Sequence, residues 1–190
     1  ILLCKYLKVS RDVLAKMCGI FTLLNNRSTC DETLILHAFN KASRRGPEES
    51  IIMGLSHGDK IITGFKRLAI NGLDTTSGQP MEFEGCRLIC NGEIYNFREL
   101  YQAMGVTPNT DSDCEVIIHL YKRYGIEQTL RLLDGVFAFV LYDMSKLEDD
   151  PVIHVARDPF GVRPLYMMSV ASQATSSPPS PTSNFGLITG

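Results

Sequence analysis

The segment that most restricts the fold is Val136 to Tyr142, V-F-A-F-V-L-Y, an apolar run without polar alternation that reads as a buried strand. Gly19 to Leu24 (G-I-F-T-L-L) is a second short apolar run, partly β-branched and closed by Asn25-Asn26, which predicts a buried strand beginning at Cys18. Further strands are expected at Ser50 to Ser56 and Lys60 to Ile70, joined by the H-G-D turn at His57 to Asp59. Cys86 to Cys90, Val152 to Ala156 and Leu165 to Val170 complete the set, with Asn91 to Glu93 (N-G-E) read as the turn that ends the first of these.

Helical spacing appears between the strands. Asp31 is placed to cap a helix to about Ser43, with Leu34, Ala38 and Ala42 at spacing four and Ile35 and Phe39 alongside. Phe97 to Met104 is a short helix. Ser112 is expected to cap another in S-D-C-E, with Glu115 at the capping-box position and an apolar face of Val116, Ile117, Leu120 and Tyr124. Glu127 to Leu133 reads as a separate helix stopped by Asp134-Gly135. Strands with one helix, then paired helices, then strands, predict packed and mostly antiparallel sheets, because many connections are hairpin-short.

The chain has 190 residues, 44% hydrophobic and 21% charged, enough for one domain with a sizeable core. A net charge of -2 with no lysine/arginine stripe excludes nucleic acid and acidic membrane surfaces as favoured partners. No run approaches the roughly 20 apolar residues of a membrane span. Six cysteines (Cys4, Cys18, Cys30, Cys86, Cys90, Cys114) lie scattered without a secretory signal, which predicts reduced thiols and a cytoplasmic setting. The first methionine is Met17, so residues 1–16 read as an extension that is untranslated or removed, and the core domain as residues 17–171. Ser172 to Ser183 is a Ser/Thr/Pro-rich insert, and Asn184 to Gly190 is expected to start a final strand that is cut off.

Several positions could carry chemistry. If Met17 is removed, Cys18 gains a free α-amine with an unperturbed pKa of about 7.7 to 8.0, so one residue supplies both a thiol nucleophile and its base. Alone this is a weak signal, since cysteine is among the residues most often buried. Asn91 and Gly92 could aim an amide and a backbone N–H at a developing oxyanion, or could form only a turn. Glu93 adds a carboxylate able to bind an ammonium. Arg67, in F-K-R-L-A-I, either pairs with an acid or grips a substrate carboxylate with two hydrogen bonds. Asp113 is a helix-start residue or a ligand by the same logic. No metal site is expected: Cys86 and Cys90 share a strand face with Leu88, and His37, His57, His119 and His154 share no ligand spacing. The phosphate-binding G-x-x-x-x-G-K-[ST] pattern is absent.

The ordered motifs M-C-G-I-F, R-G-P-E, K-R-L-A-I, N-G-E-I-Y-N, S-D-C-E, L-D-G-V-F-A-F-V-L-Y-D and A-R-D-P-F-G-V-R-P-L-Y together resemble the N-terminal glutaminase domain of glutamine-dependent asparagine synthetases. Amidophosphoribosyltransferase and the glucosamine-6-phosphate-forming enzyme would be expected to show R-G-x-D-S and H-N-G instead. The resemblance implies an α+β fold of the N-terminal nucleophile hydrolase type, a four-layer αββα sandwich of mainly antiparallel sheets, here truncated at its C-terminal edge. It implies that Cys18 forms a glutamyl thioester, that Arg67 holds the glutamine α-carboxylate, and that Asn91 and Gly92 form the oxyanion hole. Glu93 and Asp113 would surround the α-amino group, with Leu68 and Ile70 giving backbone contacts. Arg44, Glu48 and Lys66 depart from the family's usual histidine, aspartate and histidine. The resemblance places ATP and magnesium in a synthetase domain outside this chain, normally on the same polypeptide, and suggests a homodimer. The other readings are an inactive or interaction-only fragment, or an amidotransferase for a different amide.

Overall fold

A computed structural model describes residues 18–24, 31–43, 46–54, 61–68, 78–145, 152–170 and 184–188. The extension at 1–16, the turn at His57 to Asp59, Arg44, Ile70 and the insert at 172–183 lie outside them.

The elements run β1 (Gly19–Leu24), α1 (Glu32–Asn40), β2 (Glu49–Met53), β3 (Ile61–Arg67), β4 (Met81–Phe83), β5 (Cys86–Ile94), α2 (Phe97–Met104), a 3-10 turn at Asp113–Glu115, α3 (Val116–Leu132), β6 (Gly135–Asp143), β7 (Val152–Arg157), β8 (Tyr166–Val170) and β9 (Asn184–Ile188). They form a five-stranded sheet in the order β2-β3-β1-β9-β8 and a four-stranded sheet in the order β4-β5-β6-β7. Every pairing in both sheets is antiparallel.

Strand alternation stacks the layers. On β1, Phe21 turns outward with Ile62 of β3 and meets Ile35 and Phe39 of α1. Ile20 and Phe65 turn the other way, onto Ile89, Val140 and Tyr142 of the second sheet. The far face of that sheet, with Cys86, Leu88, Cys90, Phe137, Phe139 and Leu141, buries α2 and α3 through Leu100, Met104, Ile117 and Leu120. The result is helix, sheet, sheet, helix. Because β5 and β6 are covered on both sides, Leu88, Ile89, Phe139 and Val140 are all fully buried, which accounts for the unbroken apolar run at Val136 to Tyr142.

Two expectations need correction. Asn91 to Glu93 is not a turn: β5 continues to Ile94 and pairs with β6, Gly92 opposite Phe137, so the chain turns only at Tyr95–Asn96. Gly92 marks a close backbone approach, since a Cβ there would lie 2.3 Å from the Val136 oxygen and 2.6 Å from the Phe137 Cα. Ser112 makes no side-chain cap. Glu115 reaches backwards instead, accepting from the N–H groups of Asn109 (2.8 Å) and Thr110 (2.7 Å). The separate helix expected at Glu127 agrees with the structure, because Gly125 (φ 77, ψ 171) is non-helical and divides α3 into two helical segments. The three-residue β4 and the left-handed turn at Glu84 (φ 47) and Gly85 (φ 73) that joins it to β5 were too short for the sequence pattern to show.

Candidate active site

The cleft forms where the inner faces of the two sheets meet at one end. Cys18 precedes β1 and keeps the parity of Ile20 and Thr22, so its side chain lies between the sheets against the cluster of Ile20, Phe65 and Ile89. Arg67 ends β3 with the parity of Thr63 and Phe65, and on β5 the residues Ile89, Asn91 and Glu93 face the same interior. Two-residue periodicity on facing sheets therefore delivers Cys18, Arg67, Asn91 and Glu93 to one cleft. Leu68, Gln79, Gly92, Asp113, Cys114 and Arg163 complete its walls.

Cys18 Sγ sits 3.3 Å from both the carbonyl oxygen and the amide nitrogen of Leu68. Burial pushes its thiol pKa up, while the Leu68 N–H and the guanidinium groups of Arg163 and Arg67 pull in the opposite direction. The resting sulfur therefore carries its proton and needs a base at the moment of attack. The backbone contacts of Leu68 go to this sulfur.

The hydrogen-bond donors that line the cleft follow from the edge of β5. β4 pairs with Cys86 to Leu88, and among the described residues no strand lies beside the rest of that edge. Gln79 takes its place at Cys90, accepting from the Cys90 N–H at 2.6 Å and donating Nε2–H to the Cys90 carbonyl at 3.1 Å. In an antiparallel ladder, alternate residues turn their N–H groups to the same side. The N–H groups of Cys90, Gly92 and Ile94 thus share this edge. Asp113 Oδ2 accepts from Ile94 at 2.6 Å, which leaves the Gly92 N–H between two occupied neighbours and open to the cleft. Asn91, 2% exposed, has an Nδ2 with no hydrogen-bond partner among the described residues. An orphaned buried donor costs about 1–3 kcal/mol, a penalty relieved by an acceptor entering the cleft.

Charge in the cleft is divided. Arg67 Nη1 lies 3.3 Å from Glu49 Oε2 across the β2–β3 pairing, so this arginine is ion-paired and also lines the cleft. Glu49 is 40% exposed, and such a pair is worth only about 0–1 kcal/mol, so it orients the guanidinium more than it stabilises the fold. Glu93 and Asp113 form an acidic wall. Burial raises the Asp113 pKa, the N–H groups of Ile94, Asp113 itself and Cys114 lower it, and the Glu93 carboxylate raises it again. Two carboxylates so placed favour an ammonium between them.

Sequence reasoning missed Gln79 and Arg163 as wall residues. Arg163 was legible in part, because A-R-D-P-F-G-V-R stood out as a motif. Asp158, 1% exposed, accepts from the N–H groups of Phe137 (3.3 Å), Phe160, Val162 and Arg163 (3.0 Å each) and so folds the loop that carries Arg163 to the cleft. Burial works to raise the Asp158 pKa, but these donors outweigh it and hold the carboxylate below its ordinary range. Gln79 gave no such signal. Among the described residues no three His, Cys, Asp or Glu side chains are grouped to hold a metal ion, and no helix is long and apolar enough to cross a membrane.

A family model described as a glutamine amidotransferase domain matches residues 17–179. A protein of Gallus gallus named asparagine synthetase [glutamine-hydrolyzing] is 40% identical over 156 residues, covering 79% of this chain and 26% of that protein. Asparagine synthetase [glutamine-hydrolyzing] 1 of Bacillus subtilis (strain 168) is 36% identical over 166 residues, covering 83% of this chain and 25% of its own length. The chain thus spans about a quarter of these relatives. Among solved structures, the glutamine phosphoribosylpyrophosphate amidotransferase from B. subtilis, complexed with ADP and GMP, superposes with a TM-score of 0.61 at 21% identity, covering 90% of this chain and 41% of that one. At that identity the likeness concerns the fold, and it agrees with the four-layer antiparallel architecture.

Proposed function

The chain belongs to the glutamine amidotransferase domain family, and from that membership we propose that it hydrolyses glutamine at the Cys18 cleft and supplies the ammonia to an ATP-dependent synthesis of asparagine. In this reading the α-carboxylate of glutamine pairs with Arg67 and its ammonium lies against Glu93 and Asp113. The side-chain carbonyl then stands over Cys18, with its oxygen toward Asn91 Nδ2 and the Gly92 N–H. The α-amine of Cys18, freed by removal of Met17, takes the thiol proton directly or through a water as sulfur bonds to carbon. The negative oxygen of the tetrahedral intermediate is held by the two donors. The same amine returns the proton to the departing nitrogen, ammonia leaves, and a glutamyl thioester remains. Water hydrolyses it to glutamate and restores the thiol.

The observation that carries this reading is the convergence of the Cys18 thiol with an unsatisfied buried amide donor in one cleft. ATP and magnesium belong, in this proposal, to the synthetase part of the larger protein. A cytosolic setting accords with the unpaired thiols of Cys18, Cys86, Cys90 and Cys114. The test is ammonia release and thioester formation by the chain beginning at Cys18, with N-terminal mass spectrometry to establish that start. Cys18→Ala should abolish both. Ammonia release that survives this substitution removes the mechanism.

A further inference from the structure

The geometry points to Gln79 as a positioning residue of the oxyanion site: its carboxamide pairs with the Cys90 backbone beyond the end of β4 and thereby sets the position of Asn91 and Gly92. The inference rests on the proposed glutaminase reading and deepens it. Gln79 is 7% exposed and lies at the base of the same cleft, before β4. A primary carboxamide presents a donor and an acceptor on one side, as a strand residue does in a ladder, and both bonds to Cys90 are made at 2.6 and 3.1 Å. Cys90 immediately precedes Asn91 and Gly92. On the other edge of β5 these two residues are fixed by pairing with Ala138 and Phe137 of β6. On the open edge, Gln79 before them and Asp113 after them bond the backbone of β5, and the Cys114 thiol reaches the Gly92 carbonyl at 3.9 Å.

This arrangement has a second consequence. Of the three N–H groups on that edge, those of Cys90 and Ile94 are occupied by Gln79 and Asp113, so only the central Gly92 N–H faces the cleft to receive an oxyanion. Without the Gln79 carboxamide, the Cys90 N–H and carbonyl would recruit water at the cleft floor, and the strand would lose its restraint one residue from the donors. Misplacement by about 1 Å costs on the order of a hundredfold in rate, and loss of a whole donor about 10²- to 10³-fold.

The experiment uses the protein beginning at Cys18 and compares Gln79→Leu and Gln79→Glu with the unaltered chain. Gln79→Leu should lower kcat by about ten- to a hundredfold with little change in the KM for glutamine. An aldehyde analogue of glutamine, whose adduct with the Cys18 thiol places a tetrahedral oxygen in the site, should lose affinity by the same factor, while the affinity for glutamate stays constant. Gln79→Glu keeps the volume, and a protonated carboxyl reproduces both bonds whereas a carboxylate repels the Cys90 carbonyl. Burial raises the pKa of such a group. The activity of Gln79→Glu relative to the unaltered chain should therefore rise as pH falls from 8 to 6. A flat ratio, an unchanged kcat in Gln79→Leu, or equal weakening of aldehyde and glutamate would overturn the positioning role. Absence of ammonia release from the unaltered chain would instead refute the glutaminase reading beneath it.

Discussion

Replacing Asn91 by leucine separates catalysis from stability, because the two effects have opposite signs. The carboxamide nitrogen is buried and has no partner among the described residues, so its desolvation is an uncompensated cost of about 1–3 kcal/mol in the free protein. Leucine has nearly the same shape and removes that donor. The folded state should be at least as stable, and each 1 kcal/mol gained raises Tm by about 2–4 °C for a domain of this size. Catalysis loses one of two donors to the oxyanion, worth roughly 2.7–4 kcal/mol, so kcat should fall by about 10²- to 10³-fold. kcat/KM should fall by the same factor, since the interaction belongs to the transition state. The assays are steady-state ammonia release and thermal unfolding of the same preparations. A kcat within about threefold of the unaltered protein would refute the oxyanion assignment. A Tm that drops by many degrees would show that the amide is satisfied and structural.

Two further outcomes follow from the cleft and the sheet behind it. Arg67→Lys keeps the charge near Glu49 but gives up the planar fork, so the KM for glutamine should rise by about tenfold or more while kcat stays within a few-fold, measured by initial rates over a range of glutamine concentrations. Asp143 links β6 to α3: burial works to raise its pKa, but the hydroxyl and N–H of Ser145 and the Tyr121 hydroxyl outweigh that and hold it at about 2, below the ordinary 3.8. A lowered folded pKa means that the unfolded chain binds the proton first. The contribution is therefore present above about pH 4 and is lost as pH falls toward 2, and Asp143→Asn should flatten this limb of a stability-versus-pH curve measured by denaturant unfolding.

Local patterns carried much of the fold because each layer has its own period. The spacing-four residues after Asp31 and the apolar run at Val136 announce α1 and β6, and the Asp31 carboxylate caps α1 by accepting from the Leu34 N–H at 2.9 Å. The error at Asn91-Gly92 has a physical origin. The same dipeptide suits a turn through backbone freedom and suits this strand because Val136 and Phe137 leave no room for a Cβ, and only the partner strand decides between them. Gln79 was illegible for a related reason. Its two bonds go to a backbone group, Cys90, whose need for a partner arises from where β4 stops. That need is a property of the sheet, and no residue type records it. The candidate site is legible by another route: a thiol, an amide, a guanidinium and two carboxylates each have a bland alternative when taken alone, and the resemblance of the ordered motifs is what joins them into one site.

Strand parity also separates Lys66 from the cleft. Lys66 and Arg67 are neighbours in sequence, yet β3 turns them to opposite faces of the sheet. Arg67 enters the cleft. Lys66 faces α1, where its ammonium donates to Asn40 Oδ1 at 3.2 Å and Ser50 Oγ at 2.5 Å and lies 3.9 Å from the centre of the Phe39 ring. Burial lowers its pKa, and the two oxygen acceptors with the ring face supply what the lost water would have given. Lys66 therefore ties α1 and β2 to β3, on the side of the sheet away from Cys18. The loop that begins at Gly46 is held to the same strand, since a Cβ at Gly46 would lie 2.4 Å from the Lys66 carbonyl and the Glu48 N–H donates to the Arg67 carbonyl at 3.3 Å. Lys66 and Glu48 are thus both tied to the backbone that carries Arg67 into the cleft.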